Sequence, residues 1–363
     1  MDDQPQPDVA SDDEDAPRGV LNGIMHDAAI AGIEQGMSME DAVSAATEAL
    51  MNALPGLVDT TSASLHQGKP GLVSYLNEER AKLVDVIETQ WGSALITYEA
   101  AAYVSYELGA SIRQAYNEDK DSGDTAAEVG FLLHGRACTV AGEVLCLMRN
   151  GYSDGAIARQ RTLHEIAVVM SVIMDNPGLD LAERYLDYSF VEQWKDMEEY
   201  QQHAEALGRA PFSDSEVAAL KQQYDGVLTR WGAQFHKRHQ WAAPLFANSK
   251  SIEFGQLEDL AGLGHLKPFY RLSNHYVHAG PRSAVLNLYN VRGRRSIGAG
   301  ARADTDIGEV GHGALTSLLQ CTVPLIARDG VVSNDPDTLL AIKCMQRLVD
   351  DAGTAFQRSA LRR

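Results

Sequence analysis

"RQRTLHEIAVVM", residues 159–170, is the stretch that decides the fold. Wound as a helix it is apolar on nearly every side beyond its first turn, and such a helix belongs in a core. Yet Arg161, His164 and Glu165 stand within it at positions i, i+3 and i+4. A buried charge must be paired or hydrogen-bonded. The simplest solution pairs Arg161 with Glu165 and sets this helix beside a second one that offers further polar partners. A buried helix of this kind predicts an all-α, multi-helix bundle.

The helical pattern extends outward on both sides. The buried helix is expected from about Asp154 to Met174, where "DNPG" stops it. Its predecessor spans about Thr125 to Arg149 and ends at Asn150-Gly151. Leu72 to about Asn117 reads as a long helix or a kinked pair, broken only by Gly92 and Gly109. Downstream come helices over about Leu181–Leu207 and Ser213–Trp231, then an irregular region over 236–265. Two final helices cover about 306–328 and 335–358.

Near the N-terminus two helices split at Gly36, with Ser38 as N-cap and Asp41 closing a capping box. "HQGKPG" reads as a linker. The domain expectation is therefore an acidic disordered tail over 1–20, a helical appendage over 21–70 and a bundle over 71–363. Within the bundle, a core of about 72–282 is followed by a basic loop over 282–303 and C-terminal helices over 306–358.

Apolar residues make up 45% of the 363 residues and aromatics 7%, which favours helices over a β-sandwich. No run approaches the roughly 18 apolar residues of a membrane span. The first residues are acidic rather than basic-then-apolar, so no secretory signal and no membrane partner are expected, and the cytoplasm is the default location. Cys138, Cys146, Cys321 and Cys344 lack a CxxC spacing, and the first two sit in an apolar helical pattern where cysteine is usually a small core residue.

The net charge of −19 excludes coating nucleic acid by bulk electrostatics. Its distribution is uneven. No acidic residue lies between Asp259 and Asp304, while Lys267, Arg271, Arg282, Arg292, Arg294, Arg295 and Arg302 do, making a +7 island.

That island contains "PFYRLSNHYVHAG", residues 268–280. Pro268 suits a first helical turn and "AGP" ends the helix. At about 100° per residue, Asn274, His275 and His278 fall near 300°, 40° and 340° from Arg271, so the four share one stripe. Phe269, Leu272 and Tyr276 share another, apolar stripe that can face the core. Glu165 is expected to lie close to the polar stripe. RNA cleavage by transesterification needs a base for the 2′-hydroxyl and a fixed cation for charge developing on phosphorus. His278 suits the first role because the unperturbed pKa of an imidazole lies near neutrality, and Arg271 the second by its planar donor fork. Asn274 and His275 can orient a phosphate, and Arg292, Arg294 and Arg295 can guide a backbone.

Arg161-x3-Glu165 on a buried helix, followed by Arg271-x6-His278, resembles the HEPN (higher eukaryotes and prokaryotes nucleotide-binding) superfamily over roughly residues 72–282. Within it, the chain most resembles a bacterial all-helical domain-of-unknown-function family with a C-terminal YRLxxxxVHA-like helix. The resemblance implies a metal-independent endoribonuclease, dimeric, in a toxin–antitoxin or anti-phage system, with RNA as substrate and an antitoxin or defence protein as partner. It implies Arg271 and His278 as catalytic residues, with Arg161, Glu165, Asn274 and His275 in support, and no cofactor or metal.

Two other classes stay open. A catalytically silent interaction or nucleotide-sensing module is favoured by Leu272, where the resembled motif carries a polar residue, and by the acidic chain. A metalloprotein would gather His275, His278, Glu165 and His134, since His-x2-His with a carboxylate from another helix is a known ligand set.

Overall fold

The computed structural model describes residues 20–118, 123–247, 251–286, 290–291, 294–295, 306–327 and 336–362. Residues 1–19 of the expected acidic tail, Arg292 and Arg302 lie outside these residues, while Val20 already belongs to the first helix. The architecture is all-α. In chain order the helices are α1 (Val20–Glu34), α2 (Met39–Glu118), α3 (Thr125–Arg149), α4 (Ser153–Met174), α5 (Leu181–His203) and α6 (Asp214–Trp231). They continue with α7 (Phe254–Leu260), α8 (Lys267–Val277), α9 (Pro281–Leu286), α10 (Ile307–Ile326) and α11 (Pro336–Ala360). A two-residue antiparallel ladder, β1 (Asn290–Val291) with β2 (Arg294–Arg295), forms the short ribbon of the basic segment.

The chain divides into two compact units, residues 1–79 and 80–363. In the first, Ser38 accepts from the Asp41 amide at 3.2 Å and donates to its carboxylate at 2.6 Å, and Ala42 and Ala46 are buried. The linker expected at "HQGKPG" is instead helical, because α2 runs through Pro55 and Pro70. A proline inside a helix removes one backbone bond at a cost of about 3 kcal/mol without having to end it, so the breaker signal alone misleads here.

In the second unit α3, α4 and α10 pack on one another, α11 covers α10, and α5 pairs with α6. Ile87, Trp91, Leu95 and Tyr98 of α2 join this core, and the buried Tyr98 hydroxyl donates to the Ala141 carbonyl at 2.9 Å. Three helices also meet through polar groups. Ser105 of α2 and Thr322 of α10 hydrogen-bond at 2.7 Å, and the His134 ring of α3 lies 3.3 Å from both. Burial pushes His134 down to about 4, so the ring is neutral at physiological pH. Gly109 makes room for it, since a Cβ there would stand 2.3 Å from the imidazole.

By length and composition α3 alone among the described helices could cross a membrane. Eleven of its residues, including Leu133, Val140, Val144 and Met148, are buried against neighbouring helices instead. The cysteines depart from expectation: Cys146 is exposed and Cys138 only half-buried, because the two fall on the flank of α3 rather than its core stripe. Cys321 is the buried one.

Candidate functional site

The paired helices are α4 and α8, which pack side by side. Arg161 and Glu165 form the expected i,i+4 ion pair at 3.0 Å, with side chains 15% and 36% exposed. The residue that ties α8 to this pair is Tyr270. Its hydroxyl donates to Glu165 Oε1 at 2.7 Å and accepts from Arg161 Nη2 at 2.8 Å. The Arg161 guanidinium also lies 4.7 Å from the Tyr270 ring centroid. Burial, then the hydrogen bond to Glu165, pushes the Tyr270 phenol up to about 12.

Glu165 therefore turns toward Tyr270, not toward Arg271, whose side chain projects from a different face of α8. Beside the triad, His164 bonds Glu258 of α7 at 2.8 Å, with side chains 8% and 3% exposed. Phe254 packs on Tyr270 with ring centroids 4.9 Å apart. Neither Glu258 nor Tyr270 is singled out by the sequence. The signal was available in part for one of them: a buried His164 needs a partner, and the short FGQLEDL segment offers Glu258 beside Asp259.

Behind α8 lies a cavity of about 540 Å³ between α4, α8 and α10. From α4 it is lined by Ile157, Gln160, Arg161 and His164; from α8 by Phe269, Tyr270, Leu272, Ser273 and Tyr276. From α10 and the residue before it come Asp306, Glu309, Val310, His312, Gly313, Thr316 and Ser317. Taking Arg271 as zero, Tyr276, Phe269 and Ser273 fall at about 140°, 160° and 200° on α8. The cavity thus borders the helix face opposite the Arg271 stripe. The apolar stripe expected to face the core borders this cavity, leaving Phe269 63% exposed, while Ser273 is the buried residue of α8.

The four residues expected on one stripe do not all share the helix. Arg271 is exposed, and Asn274 and His275 are half-buried on α8. His278 is exposed and caps the helix with extended backbone (φ −109, ψ 138), its amide donating to the Asn274 carbonyl at 3.0 Å. The chain leaves the helix at His278, ahead of Pro281, which disfavours helical backbone at Gly280. No described carboxylate engages Arg271 or His278. Lys267 differs, pairing with Asp259 at 2.5 Å, so part of the basic island is neutralised. Arg294 and Arg295 form β2.

The metal set expected for the metalloprotein reading does not gather. Among the described residues no group of three His, Cys, Asp or Glu is placed to hold an ion. His134 is committed to Ser105 and Thr322 on other helices, and Glu165 to Arg161 and Tyr270.

Compared with known proteins, residues 127–293 match the model of a family of unknown function (DUF5677). That span runs from α3 to the ribbon and includes both α4 and α8. No curated protein and no solved structure matches the chain.

Proposed function

We propose that the chain is a HEPN-like protein that cleaves RNA without a metal, with Arg271 and His278 carrying the reaction. The observation that supports this reading most is the exposed side of α8 and its C-cap. The Arg271 guanidinium stands exposed in the middle of α8 and the His278 imidazole at its C-cap, neither engaged by a described carboxylate, and α8 packs against the helix that carries "RTLHE". A fixed cation and an accessible imidazole base are what this phosphoryl chemistry requires.

In this mechanism His278 takes the proton of a ribose 2′-hydroxyl. The 2′-oxygen attacks phosphorus, the bond to the 5′-oxygen breaks, and Arg271 holds the nonbridging oxygens as charge builds on them. The departing 5′-oxygen takes a proton from the equivalent motif of a second copy, which is why a symmetric dimer belongs to the proposal. Asn274 and His275 orient the phosphate, and Arg292, Arg294 and Arg295 guide the strand. Arg161, Glu165 and Tyr270 act at a distance by fixing α8. Such an activity suits a cytoplasmic toxin or anti-phage effector restrained by a partner protein.

Purified protein incubated with diverse RNAs in EDTA should yield fragments ending in 2′,3′-cyclic phosphate. RNA left intact at micromolar protein would overturn the reading.

One observation favours a catalytically silent binding module instead. Arg271 and His278 are absent from the lining of the cavity, where a small substrate would be shielded from water.

A further inference from the structure

The cavity behind α8 holds more unused hydrogen-bonding capacity than packing explains. Ser317 is only 3% exposed and lines the cavity, and its hydroxyl has no hydrogen-bond partner among the described residues. The half-buried Gln160 amide and His312 ring also line it with no hydrogen bond among the described residues, and Arg161 Nε is buried and unpaired. Gly313 keeps this arrangement, because a Cβ there would lie 2.0 Å from Gln160 Nε2. Polar groups left open in this way keep hydrogen-bonding capacity that water or a ligand can meet.

The charges around the cavity narrow what fits. Arg161 is balanced by Glu165, and His164 by Glu258. Asp306 and Glu309 sit at the start of α10, where they offset the helix dipole. Among the described lining residues they leave an anion no unpaired arginine or lysine and two carboxylates to pass. The same dipole and Arg282, which acts on Tyr276 against the nearby acids, weaken the attraction for a cation. Beside the paired Arg161, the inner groups include the uncharged Gln160 amide and Ser317 hydroxyl, and the walls are Phe269, Leu272 and Val310. An amide side chain such as Gln160 presents a donor and an acceptor side by side.

We propose that this cavity is a binding site for a flat, uncharged aromatic carboxamide or lactam, read by the Gln160 amide and the Ser317 hydroxyl. Its volume, about 540 Å³, lies within the range of small-molecule sites. The proposal is independent of RNA cleavage, since Gln160 and Ser317 border the face of α8 opposite Arg271.

Three near-isosteric probes test it by ligand-observed NMR on the full chain: 2-naphthamide, 2-naphthoate and 2-naphthamidine. The amide should bind, with the anion and the cation each at least about tenfold weaker. Gln160→Leu and, separately, Ser317→Ala should each weaken the amide about tenfold while the protein keeps its cooperative melt. The proposal fails if none of the three binds, or if the naphthoate or naphthamidine binds as well as the amide. It also fails if both folded variants bind the amide like the native protein.

Discussion

The Tyr270 hydroxyl donates to Glu165 Oε1 across 2.7 Å, and this bond joins α8 to the buried helix α4. Arg161 completes the triangle by donating to the same hydroxyl at 2.8 Å and to Glu165 at 3.0 Å. Each member bonds to the other two, which balances the half-buried ion pair, while Arg161 Nε stays unpaired. The position of α8, and with it that of Arg271 and His278, depends on this triangle.

Tyr270→Phe should cost about 1–2 kcal/mol, the usual penalty for removing one partner from a buried hydrogen-bonded group. In a domain of this size that lowers the melting temperature by about 2–8 °C. The direct Arg161–Glu165 contact survives, which keeps the loss moderate. Thermal unfolding of the variant checks the value, and a melting temperature equal to that of the native protein would contradict the role given to Tyr270.

The His134 triad makes stability depend on pH. Its folded value of about 4 lies below the unfolded value near 6.5, so the unfolded chain binds the extra proton between them. Stability is therefore complete above about pH 6.5 and is lost as the pH falls toward about 4. Between pH 7 and pH 5 the loss from this group is about 2 kcal/mol. Denaturant unfolding at both pH values should show a smaller difference in His134→Gln than in the native chain. An equal difference would show that His134 is not the group responsible.

Much of the helical frame is legible in local signals. Asn150-Gly151 ends α3, Ser213 caps α6 through a capping box with Glu216, and Ser38 caps α2 with Asp41. The pairing of α4 with α8 follows from the need of Arg161 and Glu165 for partners. What escapes is tertiary. Tyr270 has no special spacing, and Glu258 sits in a region that reads as irregular until His164 is seen against it. His278 keeps helical register on paper, but the chain leaves the helix one residue earlier. The cavity is legible nowhere, because Gln160, Ser273 and Ser317 converge only when three helices meet.

The dimer carries a separate expectation. One copy supplies a base and a cation, and the leaving oxygen needs an acid from a second copy. Sedimentation at micromolar concentration should show a dimer, and mixing His278→Ala with Arg271→Ala protein should restore part of the activity if each site uses groups from both copies. A monomer that cleaves RNA at the full rate would exclude a shared site.

The most direct test of the account is the RNA-cleavage rate of His278→Ala beside the native protein in EDTA, with the melting temperature of both recorded. His278 is exposed at the end of α8, so its removal should leave the fold intact. Loss of a general base costs about a hundredfold to ten-thousandfold in rate, and Arg271→Lys should be severely impaired as well, because an ammonium cannot reproduce the bidentate fork. The account predicts a drop of at least about a hundredfold at an unchanged melting temperature. A His278→Ala protein that cleaves as fast as the native chain would contradict it.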